Sequence, residues 1–479
     1  MIGLTILYTA ISIWLAIYGL NAFVLIWFYF RHRQPPPACP ALDELPTVTV
    51  QIPLYNERYV VERVIDAVAA LDWPQDRLQI QVLDDSTDET SALAQARIAG
   101  HRQQGLDIRH IRRETRRGFK AGALNAGLQT ARGEYVALFD ADFCPEPEFL
   151  QRTVPHLVAR PKLAFVQARW SHLNDGHSIL TLAQSIALDG HFAIEHAARQ
   201  RAGLLKGFNG TGGVWRTKAI QDCQGWDETQ LTEDVDLAYR AQLEGWQGLA
   251  LTDVSAPAEI PVTLAAFKQQ QFRWAKGNLQ CCFKLAFPFL RAPLPWMARL
   301  QALIHLSYYL AHPLMLLVVL GTLPMIVWGG LHKWTSQSIP IGLTVLSLAT
   351  LGPPTLYTLA QRALYADWVR RLRALPVLVC TGLGLALNST VAAVEAILGI
   401  HSAFERTPKI GANETPPNGK AHPYALRKSR LVWGEIALTL YAALSVYAAW
   451  QKGQILAIPF LLLYVIGFGY VSVVGISES

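Results

Sequence analysis

Residues 1–30 carry no charged side chain, and Arg31, His32 and Arg33 follow at once, with Pro35, Pro36 and Pro37 just beyond. An uncharged run of this length fits a helix across a hydrocarbon core, which takes about 20 residues. It is far longer than a signal-peptide core, and it lacks a basic leader and a small-residue cleavage site. The basic cluster comes after the span, which places the next residues on the cytoplasmic side and the N-terminus outside. The prolines break the helix and make 31–46 a stiff linker.

Charge divides the rest of the 479-residue chain. Charged residues make up 16% and hydrophobic residues 51%, against about 25% charged in an ordinary soluble protein. The deficit is uneven: the middle reads as soluble, and the C-terminal part is mostly apolar. The formal net charge is +6, and the basic residues cluster beside apolar segments. They orient a membrane protein and do not form a nucleic-acid surface. Six cysteines show no metal-ligand spacing and read as reduced thiols.

Apolar runs lie near 300–330, 339–360, 374–400, 431–450 and 455–475. The segment before 374–400 carries Arg362, Arg370, Arg371 and Arg373 against Asp367; the segment after it carries six Lys or Arg against Glu405 and Glu414. Both flanks belong on one side, so that run does not cross once. It also holds Asn388, Ser389, Thr390 and Glu395, and a carboxylate at mid-bilayer is costly. The expected organisation is a transmembrane helix at 1–30, a linker at 31–46, a cytoplasmic domain at 47–278 and an interfacial helix at 279–299. Two spans in 300–360, an amphipathic or re-entrant helix plus a loop in 361–430, and two spans in 431–475 complete five crossings.

The middle stretch alternates strand, acidic loop and helix. Thr47–Ile52 is a β-branched run ending at Pro53 and followed by Asn56-Glu57; Leu78–Leu83 ends in Asp84-Asp85-Ser86-Thr87-Asp88; Glu134–Phe139 ends in Asp140-Ala141-Asp142. The repetition predicts an α/β, doubly wound sheet with chemistry at the carboxyl ends of parallel strands. Asp88 reads as a helix cap, whereas adjacent Asp84 and Asp85 exceed what one cap needs and suit a nucleotide's donors. Asp140 and Asp142 flank one small residue on an extended end and offer hard oxygen ligands to Mg²⁺ or Mn²⁺. Lys120, in the basic, glycine-containing loop Arg116–Asn125, suits a diphosphate.

Thr232-Glu233-Asp234 opens the helical pattern Val235–Leu243. Thr232 is a candidate N-cap with acidic residues in the first turn. Asp234 is also a candidate general base, since a sugar hydroxyl attacks poorly until its proton is taken. Gln270-Gln-Phe-Arg273-Trp274 sits at the border of the membrane part. Arg273 suits a departing diphosphate, and Trp274 an apolar sugar face.

Asp84-Asp85, Asp140-x-Asp142, Thr232-Glu233-Asp234 and Gln270-x-x-Arg273-Trp274, in this order, resemble the signature set of inverting, membrane-integrated family-2 glycosyltransferases, which include cellulose, hyaluronan and chitin synthases. The strings Gln51–Glu57, Gln81–Asp88 and Gly207–Arg216 are most similar to plant cellulose-synthase-like mannan and glucan synthases and their bacterial relatives. The resemblance implies a GT-A-like domain in which Tyr55, Asn56, Glu57, Asp84, Asp85, Lys120 and Asp140 hold the nucleotide sugar. It also implies that Asp140 and Asp142 hold Mg²⁺ or Mn²⁺, and that Asp234 is the base. Glu233, Gln270, Arg273 and Trp274 would line the acceptor and leaving-group end. Phe404-x-x-Thr407-x-Lys409 is similar to the gating loop of processive synthases. The function expected is an inverting, metal-dependent β-hexosyltransferase of the inner membrane. Its first reading is processive β-1,4-glucan synthesis from UDP-glucose. Mannan synthesis from GDP-mannose and β-glucosyl transfer to a diacylglycerol- or ceramide-like lipid are the alternatives. Its partners are the donor, a growing polysaccharide or lipid acceptor, and membrane lipids.

Overall fold

The computed structural model describes residues 2–33, 35, 37–328, 348–400, 407, 409, 411 and 429–478. Its α/β part is built on seven strands: β1 (Val48–Leu54), β2 (Leu78–Asp84), β3 (Ile108–Arg112), β4 (Tyr135–Leu138), β5 (Leu163–His172), β6 (Gly213–Arg216) and β7 (Gln247–Ala258). They lie in the order β3-β2-β1-β4-β6-β5-β7. Strands β3, β2, β1 and β4 are parallel, as the alternating pattern predicts. Strand β6 runs antiparallel to both neighbours, so the sheet is mixed. β1 continues through Pro53 to Leu54, two residues beyond the predicted run.

Strand β1 is buried along nearly its whole length, and its inward polar residues are paired across the sheet. Thr49 donates to Gln79 Oε1 at 2.9 Å and Gln51 donates to Gln81 Oε1 at 3.0 Å. Polar groups in a buried strand are tolerated only when satisfied in this way. The helix Val61–Ala69 returns over the sheet with Val61, Val64, Ile65 and Val68 inward; this i, i+3, i+4, i+7 spacing makes one apolar stripe. In register, Leu54 lies opposite Asp84, and Gln51 opposite Leu138. The loops after β1, β2 and β4 therefore leave from one end of the sheet. The chain winds outward in both directions from β1 and β4, which opens a crevice there.

Among the described residues, four helical stretches are long and apolar enough to cross a membrane: Ile2–Arg31, Trp296–Val327, Leu431–Gln451 and Ile455–Ser477. They suggest a membrane protein. The apolar run 339–360 lies partly outside the described residues; its described part is helical over 348–364. There it meets the first helix through two glycines: a Cβ on Gly352 would come within 2.1 Å of the Gly19 carbonyl oxygen, the close backbone approach that small residues permit between membrane helices. The run 374–400 forms two helices, to Gly384 and from Ala386, bent by 43°.

One helix links the two parts. Leu264–Arg291 is continuous, so the border expected at 278/279 falls inside it. Thr263 caps it, accepting from Ala266 N at 3.2 Å, and Glu478 accepts from Leu264 N at 2.8 Å and Ala265 N at 3.0 Å. Lys268 pairs with buried Glu435, and Lys276 with Glu395 at 2.6 Å. Removing one partner of such a pair leaves an uncompensated buried charge. These ties fix the turn that carries Gln270, Arg273 and Trp274 to the membrane helices.

Candidate active site

The crevice at the strand ends deepens into a cavity of about 530 Å³ that continues between the helices of the membrane part. Tyr55, Glu57, Asp85, Lys120, Asp140 and Asp142 line it from the sheet side. Glu233 and Asp234 enter from the helix Glu233–Leu243, and Gln270, Arg273 and Trp274 from Leu264–Arg291. Six stretches remote in sequence thus converge on one space.

Cations hold the acidic groups in place. The Lys120 ammonium lies 2.6 Å from Asp140 Oδ1, 4.0 Å from Glu233 and 3.1 Å from the Gly210 carbonyl oxygen. Burial works against its charge, but Asp140 and Glu233 outweigh burial and raise its pKa. Asp140 N donates to Thr211 Oγ1 at 2.8 Å, which fixes the turn after β4. Asp142 is buried and ion-paired with Lys409. Arg273 donates to Thr407 Oγ1 at 2.8 Å. Thr407 and Lys409 therefore both reach the cavity wall, while Phe404 lies outside the described residues. Asp140 and Asp142 both line the cavity and offer the hard carboxylate oxygens that Mg²⁺ or Mn²⁺ takes, with Lys120 and Lys409 paired to them here.

Burial pushes Asp234 up to about 6 and Glu233 up to about 8, the Asp234 charge adding to the rise at Glu233 and Lys120 pulling both down. A base must be ionised to accept a proton. The kcat/KM should therefore fall about tenfold per unit as pH drops below about 6 and level off above it. The pH profile of kcat/KM of the purified protein checks this, and a flat profile down to pH 5 would contradict it. Gly210 faces Asp234 closely: a Cβ there would sit 2.9 Å from Asp234 Oδ2 and 3.4 Å from Lys120 Nζ. Its φ of +79° is also left-handed, costing an L-residue roughly 1–2 kcal/mol. Gly210→Ala should lower both the thermal midpoint and kcat; wild-type kcat in that variant would show that the close approach carries no function.

The structure turns some expected residues away from the cavity. Asp84 is buried beneath it, with His110 Nε2 2.8 Å from Oδ2 and Ser86 N donating to Oδ1 at 2.8 Å. Burial alone would raise it, but those hydrogen bonds win and bring it down to about 2. Asp84 thus shapes the loop, whereas Asp85 faces the cavity, held by Arg113 Nε at 3.0 Å. Asn56, at φ +55°, accepts from Thr87 N at 2.9 Å and donates its own N–H to Ser86 Oγ, tying the β1 loop to the β2 loop. Thr232 occupies the N-cap position without a side-chain cap bond; its hydroxyl meets Cys281 Sγ at 3.4 Å instead. Asp88, expected as a cap, accepts from Thr90 N at 3.0 Å but lies one residue before the N-cap position, which Glu89 occupies without a side-chain cap bond. Arg113 escaped the sequence reading. Among neighbouring arginines at 112, 113, 116 and 117, nothing in the sequence marks the one that reaches Asp85.

Fold and cleft define the class: a GT-A-like nucleotide-sugar domain joined to an α-helical membrane part. A family model described as "Glycosyltransferase like family 2" matches residues 46–277. A probable glucomannan 4-beta-mannosyltransferase of Arabidopsis thaliana is 33% identical over 447 residues, covering 89% of this chain and 81% of the relative. The chain belongs to glycosyltransferase family 2. A probable glucomannan 4-beta-mannosyltransferase of Oryza sativa is 46% identical over 253 residues, 52% of this chain and 43% of its own length. Another from Arabidopsis thaliana is 44% identical over 253 residues, 47% of its length. The chain thus matches about half the length of these two relatives. Among solved structures, a mannosyltransferase from Pyrobaculum calidifontis in complex with GDP-Man and Mn²⁺ shares the fold, with a TM-score of 0.52 and 21% identity over 82% of this chain and all of that one.

Proposed function

We propose that this chain transfers mannosyl units from GDP-mannose to the end of a β-1,4-linked glycan, inverting the anomeric carbon in one displacement. The convergence of Asp140, Asp142, Asp234, Arg273 and Trp274 on one cavity carries the reading. Asp234, held beside Gly210 and near Lys120, takes the proton of the attacking hydroxyl. Lys120 and Arg273 place positive charge where the diphosphate departs, and charge fixed in advance there stabilises the transition state. Trp274 offers an apolar face to the acceptor sugar. Asp140 and Asp142 would hold Mg²⁺ or Mn²⁺, which when bound neutralises diphosphate charge.

Mannose replaces glucose as the first reading because the three plant relatives described above are named as glucomannan mannosyltransferases. Nucleotide release by detergent-purified protein, offered GDP-mannose, GDP-glucose and UDP-glucose in turn, tests the donor. GDP-mannose should be favoured by at least about tenfold, since a site that hydrogen-bonds one sugar's hydroxyls leaves polar groups unpaired with its epimer. Turnover of UDP-glucose alone would restore the glucan reading. The same proposal keeps the catalytic domain cytoplasmic with five crossings; labelling of a cysteine placed at 370 from outside intact cells would contradict it.

A further inference from the structure

Elsewhere in the lining of the cavity, the helix Ile179–Asp189 widens into a π-turn over Gly190–Glu195. Such turns are rare and cluster at functional sites. Here the wider turn brings His191 and Glu195 together, with His191 Nδ1 3.0 Å from Glu195 Oε2. From the membrane part, His305 Nε2 reaches 3.9 Å from Glu195 Oε1, too far for a hydrogen bond. The three ligand atoms lie within 4.8 Å of one another, and all three residues line the cavity.

The surroundings suit ligation. Tyr239 OH lies 2.6 Å from His305 Nδ1; with Nδ1–H donating to it, Nε2 presents its lone pair to the cluster, the outer-shell arrangement common at metal-bound histidines. Asn209 places Nδ2 3.1 Å from His191 Nε2, while its buried Oδ1 has no partner among the described residues. Turning that amide over lets Oδ1 accept from His191 Nε2–H and frees Nδ1 as a ligand. His196 is buried beside them, its ring 4.5 Å from that of His191 and both its nitrogens without a partner among the described residues. Arg199 Nε holds Glu195 Oε1 at 3.0 Å, the oxygen nearer His305, and leaves Oε2 to His191.

We propose that His191, Glu195 and His305 form a second metal site, for a borderline cation such as Zn²⁺, that joins the α/β domain to the membrane helix Trp296–Ser307 and keeps one coordination position open to the cavity. Two imidazoles and one carboxylate are a zinc set, whereas Mg²⁺ and Mn²⁺ prefer the oxygen ligands at Asp140 and Asp142. The site does not depend on the donor or on the proposed chemistry at Asp234.

The full-length protein in detergent, loaded with Zn²⁺ and dialysed against metal-free buffer, should retain about one zinc per chain by elemental analysis, as three protein ligands and an open position allow. Asp142→Asn should retain the same amount, and His305→Ala, His191→Ala and Glu195→Gln should lose it. Co²⁺ loading should give visible absorption in the wild type that His305→Ala abolishes. Calorimetric nucleotide binding identifies variants that remain folded, so the three substitutions give independent readings. Wild-type protein without retained zinc would overturn the site. Retention by the folded His305→Ala and His191→Ala variants would overturn it as well.

Discussion

Asp234→Asn should abolish sugar transfer while leaving donor affinity nearly unchanged. The substitution keeps the shape of a side chain at the start of the helix Glu233–Leu243 but cannot accept a proton at the cavity wall. Loss of a general base typically costs 10²–10⁴-fold in rate. Folding should barely notice: a charge in the first helical turn contributes about 0.3–1 kcal/mol, and the ionised group is already disfavoured by burial. Calorimetric nucleotide binding beside initial transfer rates separates the two effects. Asp84→Asn should behave differently, because its carboxylate holds Ser86 N and His110 beneath the loop that presents Asp85. That variant should lose stability and donor affinity together. Equal losses of binding and transfer in Asp234→Asn would make Asp234 a binding or structural residue.

The second large effect concerns the divalent cation. Excess EDTA should stop turnover, and Mn²⁺ or Mg²⁺ should restore it. Such a cation supplies several kcal/mol of transition-state stabilisation, a loss of at least about 10²-fold when it is removed. Asp142→Asn should reproduce that loss in folded protein, since it removes a ligand charge and not core volume. It also leaves the half-buried Lys409 ammonium without its carboxylate, a positive charge that opposes a cation there, so restoration should require far more metal than in the wild type. Full turnover of the wild type in excess chelator would remove Asp140 and Asp142 from the metal-binding role.

Much of this site was legible because its residues sit at the ends of elements. Asp140 and Asp142 follow an apolar strand, Asp234 opens an amphipathic helix, and Arg273 and Trp274 share one helical turn. Each position follows from a local pattern, and the parallel winding carries the sheet-borne groups to one face. Contacts between distant residues were not legible. Asp84 and Asp85 are identical in type and adjacent, yet His110 draws one inward while Arg113 holds the other at the cavity. Both partners come from the β3 region, a pairing that no local spacing encodes. Antiparallel β6 was missed because Gly213–Arg216 is only four residues long, too short for alternation to register. His191 and Glu195 lie on a helix that reads as ordinary until the π-turn and His305 bring them together.

The stereochemistry of the product is the most direct test of the central claim. GDP-mannose carries an α-linked mannose, and one displacement with Asp234 as base must deliver the β-anomer. Proton NMR of the glycan made by the purified protein from GDP-mannose, with Mn²⁺ or Mg²⁺ present, should show new residues that are β-1,4-linked mannose throughout. New α-linked mannose would contradict the account, because it requires retention and therefore a different chemistry at this cleft.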